Sequence, residues 1–243
     1  MNGILTAFQF LTVLPVSGGS SLAAGVRWCS LVGLVLGLAL VGADLALAGL
    51  VGPMVRAVLL VALLAALTGA LHLDGLADSA DGLLAHRTPE DRLTIMRDPR
   101  VGGFGVAAVA LTLLAKSAAL AELEGALRLP ALIVVPAIAR WTIIGLSALL
   151  PSARPGVGLG SIWRAGATPS ALVLASTVAL APAGMLAGWA ALPMMFGAVV
   201  VAGALGLFAL GRIGGVSGDI LGAAVELVET AGWVVASALA RAA

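Results

Sequence analysis

The sequence predicts an all-α, polytopic membrane helical bundle of about seven transmembrane helices with an additional N-terminal interfacial or re-entrant helix, and three observations carry that prediction. Apolar residues make up 61% of the chain and charged residues only 10%, far below the roughly 25% charged residues of an average soluble domain. Apolar runs recur at close to the ~20 residues a helix needs to cross hydrocarbon. Glycines number 32, many of them inside those runs, as suits helices that approach closely in lipid through small residues. Residues 1–243 read as a single integral membrane domain.

The elements follow in order. The stretch 1–16 is apolar but lacks the basic leader and small-residue cleavage site of a signal peptide. It is too short to span and ends at Pro15, hence the interfacial or re-entrant reading. Spans are expected near 28–50, 54–73, 101–123, 129–150 and 219–239. Residues 165–211 hold no charge and are too many for one helix, so two spans are expected there, separated among Pro182, Gly184, Gly188 and Pro193. Between Arg87 and Arg100 the polar, amphipathic segment RTPEDRLTIMRDPR reads as an interfacial helix. Arg27, Arg87, Arg92, Arg97, Arg100, Arg154, Arg164 and Arg212 then fall on one side of the membrane, leaving Arg56, Arg128 and Arg241 on the other. Because cytoplasmic loops retain positive charge, the 74–100 loop is placed in the cytoplasm.

Composition also excludes. A net charge of +1 lacks the basic footprint of a nucleic-acid binder. The lone Cys29 rules out an intramolecular disulfide and argues against a Cys-based metal site.

The densest polar feature is HLDGLADSADGL at 72–83. Spacing of i, i+4 and i+7 sets Asp74, Asp78 and Asp81 along one side of a helix. Like charges on one stripe repel and pay a desolvation cost near lipid, and a hard divalent cation relieves both. Mg2+ is expected, since phosphates commonly complete its shell. The competing reading is a solvated acidic face paired with Arg87 or Arg97. Downstream, Arg97, Asp98 and Arg100 lead into Gly102, Gly103 and Gly105 at the start of a span. There the free N–H groups and the positive end of the helix dipole favour an anion. Arg97 and Arg100 are candidates to clamp phosphoryl oxygens, and Asp98 to bind metal or accept a proton. A related run opens the last span, where Asp219 is either its N-cap or a site residue. Glu226 and Glu229 inside that span need protonation, a cation or basic partners. Lys116 and Arg140, themselves within spans, are the available partners, leaving ion pairing and substrate contact both open. His72 is expected to be a hydrogen-bonding neighbour of the site, and Asp44 has no assigned role.

Five segments together resemble the cobalamin synthase family, the adenosylcobinamide-GDP ribazoletransferases: FQFLTVLPV at 8–16, HLDGLADSADGL at 72–83, IMRDPRVGGFG at 95–105, ARPGVGLG at 153–160 and RIGGVSGDILGAAVELVE at 212–229. They run from end to end in consistent order. The clustered aspartates are also similar to those of CDP-alcohol phosphotransferases, but the D-x-x-D-G-x-x-A-R opening of that family is absent. The resemblance implies transfer of a corrinoid phosphoryl group from adenosylcobinamide-GDP to α-ribazole or its 5′-phosphate, with loss of GMP. It implies Mg2+ and residence in the bacterial cytoplasmic membrane, with the active site toward the cytoplasm. Through its motifs Arg154, Arg212, Asp219 and Glu226 join Lys116, Arg140 and the glycines as substrate-binding candidates. Trp28, Trp141 or Trp163 is expected to help shape a broad corrinoid cavity. Membrane lipid is the other partner foreseen, with a homo-oligomer left open. The rival reading is a secondary transporter, with Lys116, Arg140, Glu226 and Glu229 as an ion path. Against it, the Asp74–Gly82 pattern has no second copy.

Overall fold

A computed structural model describes residues 2–17 and 21–242, and within them the chain is helical throughout. In chain order the helices are α1 (Asn2–Leu11), α2 (Leu22–Gly25), α3 (Cys29–Leu47), α4 (Pro53–Leu67), α5 (Leu71–Leu84), α6 (Pro89–Ile95), α7 (Gly103–Glu122), α8 (Arg128–Leu149), α9 (Gly158–Gly166), α10 (Pro169–Ala187), α11 (Ala191–Ile213) and α12 (Gly218–Ala242). The described residues hold no named strand, only an isolated bridge between Ser152 and Val216. Local chemistry sets several starts. Pro53, Pro89 and Pro169 open α4, α6 and α10, where a missing N–H costs nothing. Thr88 and Thr168 cap the last two, accepting from the N–H groups of Asp91 and Ala171.

The bundle is organised around α8 and α12. Their apolar windows are 78% and 72% buried, against 39% for the stretch containing α3 and 33% for α7, so the first two form the interior and the others face lipid. α3 rides on α8 through Gly33 and Gly37. A Cβ at Gly33 would lie 2.3 Å from the Pro136 carbonyl oxygen, and one at Gly37 2.6 Å from the Ile133 Cα. Those two glycines let the backbones touch, as small residues do between helices in lipid.

One expectation is corrected. The span foreseen at 54–73 ends at Leu67, and after Gly69 and Ala70, both with positive φ, the chain turns by 90° into α5. A helix bearing Asp74, Asp78 and Asp81 is poorly suited to hydrocarbon, and the turn sets it beside α7 and α12 with Asp81 at the Gly102 end of α7. Five helical stretches are long and apolar enough to cross, or six if α4 and α5 count as one broken span. One of the five, Pro169–Ile213, has 45 residues. At ~1.5 Å per residue it is more than twice the ~30 Å hydrocarbon core. It is in fact two helices, α10 and α11, broken at Gly188 with φ +56°.

The short helices fall where the sequence puts them. α1 is too short to cross and packs on α2 and α3. α6 occupies the amphipathic segment after Arg87. Arg56 and Arg128 meet on buried Asp44, at 3.4 Å and 2.5 Å, which supplies the role the sequence left blank.

Candidate active site

α5 carries its three aspartates toward two different neighbours. Asp81 Oδ2 accepts from the Gly102 N–H at 2.7 Å and Oδ1 from the Gly105 N–H at 2.9 Å. A Cβ at either glycine would sit 2.5 Å from an Asp81 oxygen, so both must be glycine for the carboxylate to enter. The start of α7 thus does cradle an anion, and here that anion is the Asp81 carboxylate. Gly103 has nothing within 4 Å of its Cβ position. Among the described residues, no three His, Cys, Asp or Glu side chains are gathered closely enough to hold a metal ion. The expected triad of Asp74, Asp78 and Asp81 is thus not assembled around one point, because Asp81 is tied to α7.

Asp219 approaches from the other side. It lies in the first turn of α12, whose cap is Ser217: the Ser217 Oγ accepts from the Ile220 N–H at 3.3 Å and donates to Asp219 Oδ2 at 3.1 Å. Asp219 is thereby relieved of the capping role. Gly75 on α5 makes the contact between the helices, since a Cβ there would lie 2.9 Å from the Asp219 carbonyl oxygen. Burial, then the charges of Asp74, Asp219 and Asp81 in that order, push the Asp78 carboxyl up to about 6. Asp74, Asp81 and Asp219 thus share one acidic neighbourhood with Asp78, although no three of them are drawn together at one point. None of the four aspartates is in an ion pair with a described Lys or Arg, which sets aside the pairing with Arg87 or Arg97.

The cations sort into two groups. Arg154 bonds the Leu93 carbonyl, and partial burial together with the charge of Arg97 holds its guanidinium below the ordinary arginine range, while Asp219 pulls the other way. Arg97, Arg154 and Asp219 thus share one electrostatic neighbourhood. Arg100 instead turns to Asp98, with contacts of 2.9 Å and 2.7 Å, and these bonds hold the Asp98 carboxyl down to about 2. Arg212 lies 4.9 Å over the Phe208 ring. Deep in the bundle, Lys116 bonds Glu226 at 2.6 Å and Glu229 at 2.5 Å, and Arg140 bonds Glu229. Lys116, Arg140 and Glu226 answer one another's charges, so the ion-pair alternative prevails over substrate contact for all three.

Three cavities converge on this region. A slot of about 60 Å³ is lined by His72, Asp74, Trp163 and Asp219 among others. A pocket of about 210 Å³ adjoins it, lined by Ser152, Arg154, Gly158 to Gly160 and Asp219. A groove of about 760 Å³ runs between α5 and α7 from Asp74 to Leu113. Trp163 alone of the three expected tryptophans lies in these walls, and in the smallest cavity. His72 has no hydrogen-bond partner at either ring nitrogen, contrary to expectation. Sequence reasoning missed Ser217 and the buried Arg92, which bonds the carbonyls of Gly82, Leu83 and Arg87 and fastens α6 to α5. An arginine in a mostly polar segment gives no sign of burial.

The sequence profile of cobalamin-5-phosphate synthase matches residues 3–237. The chain belongs to that family. Relatives named adenosylcobinamide-GDP ribazoletransferase share similarity over nearly the full length: 39% identity with that of Thiobacillus denitrificans, over 99% of this chain and 98% of the relative. The corresponding protein of Pseudomonas paraeruginosa is 41% identical over 95% and 96%, and that of Chlorobium phaeobacteroides 38% identical over 96% of each. No solved structure matches significantly. For a cobalamin-5-phosphate synthase, acidic and cationic groups around joined cavities are the equipment that phosphoryl chemistry needs, and here they occupy one end of the bundle.

Proposed function

We propose that this chain transfers the adenosylcobinamide phosphoryl group from adenosylcobinamide-GDP to the ribose hydroxyl of α-ribazole or its 5′-phosphate. GMP leaves, and adenosylcobalamin or its phosphate forms. Family membership supports the reaction. The observation that carries the site is the acidic neighbourhood of Asp74, Asp78, Asp81 and Asp219, none of them in an ion pair with a described Lys or Arg, beside the Arg97 and Arg154 guanidinium groups.

Carboxylate oxygens suit a hard cation, and Asp74, Asp78 and Asp219 would hold it by drawing closer together than they stand here, with Asp81 fixing α5 against α7. Magnesium there would supply charge neutralisation for the diphosphate and for the departing GMP oxygen. Arg97 and Arg154 are placed to bind phosphoryl oxygens. Arg100 orients Asp98, whose low proton affinity makes it a poor base at neutral pH. The Arg-rich face is assigned to the cytoplasm and the membrane to the bacterial inner membrane, on the distribution of Arg.

Detergent-purified protein given adenosylcobinamide-GDP, α-ribazole and magnesium should release GMP without any vesicle. Asp78→Asn should fold and lose about 100-fold or more in turnover, the scale expected when metal support of phosphoryl transfer is removed. Release of GMP that needs sealed vesicles would favour the transporter reading, for which nothing in the paired, buried Lys116 network argues.

A further inference from the structure

Helix α6 has seven residues, too few to hold together in water without tertiary support. Of residues 88–97 only Arg92, 5% exposed, and Met96, 2% exposed, are buried. Both side chains go to the C-terminal end of α5. The Arg92 Nε donates to the Arg87 carbonyl at 3.0 Å, and one Nη donates to the carbonyls of Gly82, at 3.2 Å, and Leu83. No described carboxylate pairs with this buried guanidinium, and the carbonyls at the negative end of the α5 dipole stand in for one. Met96 lies against Gly82, where a Cβ would come within 2.3 Å of its Cγ.

From this footing α6 supports the cations of the site. Arg97 follows it directly, in the turn closed by the bond from the Arg97 N–H to the Thr94 carbonyl at 3.0 Å. Arg154 comes from the loop before α9 and donates to the Leu93 carbonyl inside α6. These two guanidinium groups repel each other, and neither is in an ion pair with a described carboxylate. Like charges left uncompensated drift apart unless the fold holds them.

We propose that Arg92 is a positioning residue of the transferase: by pinning α6 to the end of α5 it holds Arg97 and Arg154 together beside the aspartates, where the donor's diphosphate binds. That role rests on the phosphoryl contacts given to Arg97 and Arg154 in the proposed function, and adds what keeps them in place. Arg92 itself is buried against backbone carbonyls and acts only through its neighbours.

The test is steady-state GMP release by detergent-purified Arg92→Gln, Arg154→Gln and the double variant, with adenosylcobinamide-GDP varied at saturating α-ribazole and then the reverse. Arg154→Gln should lower kcat/KM for the donor about tenfold or more, as losing a hydrogen bond to a charged group does; full activity in that variant overturns its phosphoryl role and the proposal with it. Arg92→Gln should raise the donor's KM by a comparable factor and leave that for α-ribazole within about twofold. A merely structural role would shrink the active fraction, lowering kcat with KM unmoved, and that result overturns the proposal. The double variant should fall within about threefold of the more impaired single variant, because a displaced Arg154 has little left to lose; losses that multiply overturn it as well. Gly82→Ala, which pushes Met96 and α6 outward, should reproduce the rise in donor KM and serves should Arg92→Gln not fold. Hydrogen exchange reads the anchoring without turnover. In Arg92→Gln and in Gly82→Ala the amides of 90–96 should exchange faster while those of α12 keep wild-type protection, and unchanged exchange at 90–96 overturns the proposal. Absence of GMP release from wild type would sink the transferase reading instead, with the exchange result still deciding the anchoring.

Discussion

Single side chains here act through the charge they leave uncompensated. Asp78 is the clearest case, a carboxyl with a raised proton affinity beside two other aspartates. Because its folded-state value of about 6 lies above the ordinary carboxylate value, the metal-free protein gains stability from this group as pH falls through 6 and loses it as pH rises. A bound divalent cation reverses that preference. The rise in Tm on adding magnesium should accordingly be larger at pH 7.5 than at pH 5, and a pH-independent increment in a thermal scan would speak against Asp78 as a ligand. Asp81 predicts differently. Its carboxylate serves α7 as a capping residue would, so Asp81→Ala should cost about 1–2 kcal/mol of stability, measurable as a lowered unfolding midpoint, with activity falling because α5 loses its tether. The sequence showed all three aspartates on one stripe. It could not show that Asp81 faces α7, since stripe membership follows from helical spacing whereas orientation depends on which neighbour packs there.

At the scale of helices, the buried charges hold the arrangement. Lys116 on α7, Arg140 on α8 and Glu226 and Glu229 on α12 join three helices at their centre. Removing one member leaves an unpaired charge in the interior, so Lys116→Met should destabilise by about 3–5 kcal/mol. The double change Lys116→Met with Glu226→Gln should recover part of that loss in the same denaturation assay; no recovery would mean the pair is not coupled. The glutamates' need for basic partners was readable from their place inside an apolar run. Which cations answered was not, because Lys116 lies 110 positions from Glu226 in the chain. The turn between α4 and α5 was missed for a related reason. Hydropathy continues through Thr68, Gly69 and Ala70, and only the backbone conformation there shows that the apolar run is two helices.

For the molecule as a whole, most of the architecture was legible because lipid leaves so few choices for an apolar chain. The apolar runs gave α3, α7, α8 and α12, and the uncharged stretch gave α10 and α11. Arginine placement correctly grouped Arg56 with Arg128, which meet at Asp44. The joined cavities were not legible, since they arise where six helices from distant parts of the chain converge. α4 carries a further consequence. Its 15 residues rise only about 22 Å at ~1.5 Å each, short of the ~30 Å that fatty tails occupy. What α4 leaves uncrossed falls to α5, which sets off at 90° beyond Gly69 and Ala70. The corner between the two helices therefore decides how near the water's edge the carboxylates come to rest.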